Sequence, residues 1–191
     1  MIKSNILNKV RGFDIGKELS LEETLIKQSQ RGNDDAFEKL IDRYEGYLYK
    51  MAFLYVKNEQ DAMDIYQETV LKVYLNITKL KDRKAFKTWI TKILVNNVYT
   101  KNNQAKKIQE NHIKLDTKEF NYIDIEEKID LYDAIDILEE KYRTPIILQY
   151  FYDLTTKQIS EITNFNENTI KTNIRRGKKK IYEILKEEKD V

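Results

Sequence analysis

The sequence predicts an all-α protein of two small helical domains joined by a linker. Three observations predict it. Apolar residues recur at three- and four-residue steps over most of the chain, the periodicity of amphipathic helices. No stretch of useful length alternates apolar and polar residues as a half-buried strand would. The periodicity fails in one polar stretch, about Gln104 to Ile123, and then resumes. Only 5 Gly and 1 Pro punctuate 191 residues, so long helices are rarely interrupted.

The elements follow in order. Residues 1–20 hold two of the five glycines and no sustained period, and read as an N-terminal extension. From Leu21 the helical period begins. After Asn33, Phe37, Leu40, Ile41, Tyr44, Leu48, Met51, Ala52 and Tyr55 fall along one helical stripe. Asn58 with Asp61 reads as a capped helix start. The stripe after it is Ala62, Ile65, Tyr66, Thr69, Val70 and Val73. The charged stretch Lys79–Lys84 breaks the pattern. A further helix carries Phe86, Trp89, Ile90, Ile93 and Leu94, and fades in the polar run Thr100–Lys107. Residues 21–103 therefore form one domain and 104–124 a linker. Residues 125–191 form a second domain, carried by Ile125, Ile129, Tyr132, Ile135 and Leu138. Pro145 suits a first helical turn, where its missing N–H costs little.

Composition narrows the function. A net charge of +2 does not mark the whole chain as a nucleic-acid binder, so the distribution of charge matters instead. Cysteine is absent, which removes disulfides and thiolate metal sites. No apolar run approaches the roughly 18 residues needed to cross a bilayer, and the N-terminus lacks a secretory pattern. A cytoplasmic protein with no membrane insertion is expected. His112, the single histidine, falls in the linker and reads as solvated. There is no phosphate-binding glycine loop, dinucleotide fingerprint or acid–base grouping. No catalytic residue, metal or cofactor is expected.

The segment Thr155–Lys180 carries a helix-turn-helix pattern. Ile159 and Ile162 form the inner face of a short helix, and small Ser160 suits a close helix crossing. Asn164 tolerates the left-handed backbone of a sharp turn, Phe165 plugs the turn, and Asn166 caps the next helix. Ile170 and Ile174 anchor that second helix. Lys171, Arg175, Arg176, Lys178, Lys179 and Lys180 crowd ten of its positions with no acid among them. Thr169, Thr172 and Asn173 are expected on its outward side. Arg and Lys bond guanine edges or phosphates, and Thr and Asn add further contacts. Thr169, Lys171, Thr172, Arg175, Arg176 and Lys179 are the candidate DNA-reading residues. This pattern alone also fits a repressor or activator.

Asp64-Ile65-Tyr66-Gln67-Glu68, followed by Val70, Leu71 and Tyr74, lies in a stretch that resembles region 2 of the sigma-70 family, extracytoplasmic-function group. KYRTPIILQYFYDLTTKQISEITNFNENTIKTNIRRGKKKIYEIL is similar to that family's region 4. The resemblance covers roughly residues 33–103 and 125–186, without a recognisable third lobe between them. It implies an RNA polymerase sigma factor that is not an enzyme. Asp64, Gln67 and Glu68 would share one helix face and dock on the polymerase β′ coiled coil. KLKDRKAFKTWITKILVNN is similar to the promoter-opening segment, which implies capture of −10 bases. Lys81, Arg83 and Lys84 would supply charge there, Trp89 and Phe86 rings, and Asn96 and Asn97 donors and acceptors. Asn96 falls where the family usually has a motif asparagine. Region 4 implies reading of the −35 element. The family loop often has glycine and serine where Asp82-Arg83-Lys84 stands. Asn164 replaces the usual turn glycine, and Asn166 a common serine cap. The implied partners are core RNA polymerase (β′ and β subunits), promoter DNA and an anti-sigma factor of the kind common in the family.

Overall fold

The computed structural model describes residues 20–111 and 131–187, with side chains of 104–111 left aside. Every regular element among the described residues is helical. The chain divides between Val98 and Tyr99 into two compact units.

In the first unit, α1 spans 20–29, α2 Asp34–Asp42, α3 Glu45–Val56 and α4 Glu59–Asn76. Short 3₁₀ turns at Ile77–Lys79 and Arg83–Ala85 lead into α5, Phe86–Asn111, whose residues up to Val98 belong to this unit. Local chemistry sets these boundaries. The Asn33 side chain accepts the Ala36 N–H at 2.9 Å and opens α2. Asn58 does the same for Asp61 at 2.9 Å and opens α4, as expected. Lys57 closes α3 in the left-handed conformation, φ 52°. The continuous stripe expected from Phe37 to Tyr55 is broken into two helices at Tyr44. Tyr44 is buried, and its hydroxyl donates to Glu22 of α1 at 2.9 Å. Burial, with Glu22 beside it, pushes the Tyr44 phenol well above its ordinary pKa. Anchoring Tyr44 turns the chain while the same apolar side stays inward, so α2 and α3 share one core. That core gathers Ile26, Leu40, Leu48, Met51, Phe86, Ile90 and Leu94, all fully buried.

α5 continues to Asn111, past the point at 104 where the linker was expected to start. Its polar tail is rich in Lys, Gln and Asn, and Lys and Gln favour helix without needing a buried face. The rest of that linker, His112 included, lies outside the described residues.

The second unit contains α6 (Leu131–Asp136), α7 (Glu140–Tyr150), α8 (Thr156–Thr163) and α9 (Glu167–Glu187). Pro145 lies in the interior of α7, not in its first turn as expected. A mid-helix proline costs about 3 kcal/mol. Burial of Tyr142, Thr144, Pro145, Ile146, Ile147 and Leu148 along the same helix offsets that cost. Each large apolar side chain contributes about 1.5–3 kcal/mol when fully buried.

Candidate functional site

α8 and α9 form a helix-turn-helix. Thr155 opens α8 with a reciprocal cap: its hydroxyl accepts the Gln158 N–H, and Gln158 accepts the Thr155 N–H at 2.9 Å. Ile159 and Ile162 are buried as expected. Asn164 adopts φ 61°, the left-handed turn its side chain tolerates. Asn166 accepts the Thr169 N–H at 2.8 Å and caps α9. Ile170 and Ile174 seal α9 against the unit. One expectation about this turn fails. Phe165 does not plug it, because its ring is 47% exposed. Its backbone closes the turn instead, its carbonyl accepting from Ser160 Oγ at 2.5 Å. Ser160 thus serves as a hydrogen-bond donor. A close helix approach also occurs at Gly177, buried where α9 passes α7.

The basic run on α9 divides by face. Lys171, Arg175, Arg176 and Lys179 are exposed. Lys180 turns toward α7, 3.6 Å from Glu139, with its ammonium over the Tyr142 ring. Lys178 lies 5.8 Å from the Tyr150 ring centre. Lys141 beside Glu139 holds that carboxyl below the ordinary range, helped by Lys180. Lys179 pairs with Glu183 at 3.4 Å. Thr169 and Thr172 are half-buried on the outer side. Asn173, expected outward, is buried. It falls just over half a turn round α9 from Arg175 (about 100° per residue), toward the side of Gly177. An open groove is left along Asn166, Thr169, Lys171, Thr172 and Arg176, with the otherwise buried Asn173 also in its lining.

On α4, Ala62, Ile65, Thr69 and Val73 are buried, while Asp64, Gln67 and Glu68 are exposed together. Leu71 (51% exposed) and Leu75 (64%) flank them. At about 100° per residue these five positions fall within one arc of the helix. The face is therefore acidic with an apolar rim.

The loop 80–85 is pinned. Gln30 Nε2 donates to the carbonyls of Ile77 (3.1 Å) and Leu80 (2.8 Å). Gln30 Oε1 accepts from Arg83 Nε at 3.1 Å. Arg83 is half-buried by that contact, whereas Lys81 and Lys84 are exposed. Trp89 is half-buried, its ring centre 6.0 Å from that of Phe86. Phe86 is fully buried edge-on to Tyr44, so it cannot stack on a base. Asn96 is exposed. Asn97, expected to face DNA, is buried and bonded to Lys72 and Thr69 of α4.

The family model Sigma-70 region 2 matches residues 40–107, and Sigma-70, region 4 matches 128–181. RNA polymerase sigma factor SigV of Bacillus subtilis is 36% identical over 136 residues, covering 69% of this chain and 80% of the relative. This chain belongs to the sigma-70 family, in its extracytoplasmic-function group. ECF RNA polymerase sigma factor SigW of the same organism is 28% identical, covering 85% of this chain and 95% of the relative. The fold agrees with two solved structures. CnrH in complex with the cytosolic domain of CnrY has TM-score 0.65 at 17% identity, covering 87% of this chain and 97% of the other. Sigma factor RpoE in complex with the anti-sigma factor NepR from Bartonella quintana also has TM-score 0.65, at 19% identity, covering 78% and 96%.

This sigma factor's acidic helix α4 lies within its region 2 match, and its helix-turn-helix, up to residue 181 of α9, lies within the region 4 match. It works with core RNA polymerase and promoter DNA. No metal-binding group of acids and histidines occurs among the described residues. No described helix is long and apolar enough to cross a membrane. Sequence reasoning missed Gln30 and Gly177. A glutamine between periodic segments carries no signal, and a helical glycine shows its use only once the neighbouring helix is placed.

Proposed function

We propose that this sigma factor grips the polymerase–promoter assembly through three surfaces. Asp64, Gln67 and Glu68 dock on the β′ subunit, with Leu71 and Leu75 burying apolar area around them. Charge-assisted bonds fix orientation there and disfavour wrong partners. The outer face of α9, with Thr169, Lys171, Thr172, Arg175, Arg176 and Lys179, reads the −35 duplex, and its lobe reaches the β subunit. Lys81, Arg83, Lys84, Trp89 and Asn96 hold the opened −10 strand. Extruding bases costs a few kcal/mol of unstacking. Stacking on an aromatic ring returns about 1–3 kcal/mol per base, and Trp89 is the ring still accessible. The chain contributes binding energy, the polymerase contributes the chemistry, and both act in the cytoplasm. An anti-sigma factor is a further partner of the class that one solved neighbour binds.

The observation that carries this reading is the segregation on α4, whose inner side is sealed while acids and leucines stand exposed together. Asp64→Ala combined with Gln67→Ala tests it. Titration against core polymerase should show affinity weakened about tenfold or more, since bonds to charged groups contribute about 1.5–3 kcal/mol each. Undiminished affinity would remove the docking assignment.

A further inference from the structure

A continuous chain of polar contacts runs from the docking face into the helix that carries the strand-holding residues. The Glu68 carboxylate lies 3.1 Å from the Lys72 ammonium. The same ammonium donates to Asn97 Oδ1 of α5 at 2.6 Å. Asn97 Nδ2 donates to Thr69 Oγ1 at 2.9 Å, and the Thr69 hydroxyl gives its proton to the Ile65 carbonyl at 2.7 Å. These commitments allow one orientation of the amide. Reversed, it would set NH₂ against an ammonium and an oxygen against a hydroxyl whose proton is already used. Asn97 is 5% exposed and Thr69 fully buried, so the link acts where the dielectric is low and hydrogen bonds are strong. Glu68 and Lys72 remain about half-exposed and accessible to a partner. Asn96, the neighbour of Asn97 along α5, is exposed.

We propose that Asn97 is a positioning residue that ties α5 to the docking helix through Lys72, so that strand capture by Asn96 and Trp89 is coupled to docking at Glu68. This rests on the two surfaces assigned above. A cationic residue of the polymerase that takes Glu68 leaves the Lys72 ammonium with Asn97 as its side-chain acceptor. The charge-assisted bond between α4 and α5 then tightens.

The test uses the full chain with core polymerase and three variants: Asn97→Leu, Asn97→Asp and Lys72→Met. Asn97→Leu leaves Thr69 bonded to Ile65 and Lys72 paired with Glu68, so it orphans no buried group. The probe is a labelled single strand carrying the non-template −10 sequence of a promoter mapped with the wild-type holoenzyme. Asn97→Leu and Lys72→Met should each weaken holoenzyme binding of that strand about fivefold or more. The double variant should lose no more than the worse single one, as expected for one shared path. For Asn97→Leu, melting temperature and core-polymerase affinity should stay near wild type. Asn97→Asp keeps the acceptor for Lys72, the Thr69 hydroxyl turning from the Ile65 carbonyl to donate to the second carboxylate oxygen, and should retain strand affinity. The proposal is overturned by strand affinities within twofold of wild type, by additive losses, by an Asp variant as weak as the Leu variant, or by equal loss of polymerase affinity. Failure of the wild-type holoenzyme to bind the strand would instead remove the underlying surface assignment.

Discussion

Gly177→Ala sets two opposing effects against each other inside the recognition helix. Replacing a glycine within a helix gains about 1 kcal/mol of helix propensity. Here the added methyl would lie 2.5 Å from Ile146 Cδ1, 3.3 Å from Tyr142 Cβ and 3.4 Å from Ile146 Cγ1. Ile146 can swing its terminal methyl aside. Tyr142 Cβ sits directly on the α7 backbone, so relief there requires α9 to move away from α7. Overpacking of this kind costs about 1–3 kcal/mol. The cost exceeds the gain, and a net loss of up to about 2 kcal/mol is expected, or roughly 4–8 °C per kcal/mol for a unit of this size. Gly46→Ala is the control. Nothing lies within 4 Å of its added methyl, so the same substitution in α3 should stabilise by a few tenths of a kcal/mol to about 1. The chain has one tryptophan, Trp89, in the first unit. Its fluorescence follows that unit alone, whereas far-ultraviolet circular dichroism follows both. Gly177→Ala should lower part of the dichroism transition and leave the fluorescence transition in place. Arg176 precedes Gly177, so the displaced helix should also bind promoter duplex less well. Equal stabilisation by the two substitutions would refute the close α7–α9 approach.

Other outcomes follow from the same geometry. Arg176→Ala should weaken holoenzyme binding at the upstream promoter element by about 1–3 kcal/mol while core-polymerase affinity is unchanged. A parallel fall in both would indicate a damaged fold. Burial raises the phenol pKa of Tyr44, Tyr47 and Tyr99. A phenol held protonated in the folded state adds stability below its unfolded pKa of about 10. That stability is lost as pH rises beyond it. Alkaline titration should therefore show a late tyrosinate step, above about pH 10, that coincides with loss of helical dichroism. Complete ionisation with the dichroism intact would contradict the burial.

Much of the fold was legible because a helix buries a periodic stripe and announces its start with a short polar cap. Asn58, Asn164 and Asn166 each do in the structure what their chemistry suggested. What stayed hidden depends on tertiary neighbours. Phe86 and Trp89 share a stripe in the sequence, yet only Phe86 is fully enclosed, because Tyr44 meets it edge-on. Asn96 and Asn97 look interchangeable on paper. About 100° of helical rotation puts one on the surface and the other inside against Lys72 and Thr69. Asn173 was assigned outward from its residue type, but it falls toward the buried Gly177 side. Pro145 contradicts a propensity rule that the burial of its neighbours overrides. Phe165 resembled a plug only because aromatic residues usually seek burial.

The central claim is that this polypeptide confers promoter choice on a polymerase that lacks it. Run-off transcription with purified core enzyme, on a pool of the source organism's promoter fragments, measures this directly. The expected result is initiation at a discrete subset of start sites only when the wild-type chain is added, abolished by Asp64→Ala with Gln67→Ala. Initiation that is equally unselective with and without the chain would contradict the account.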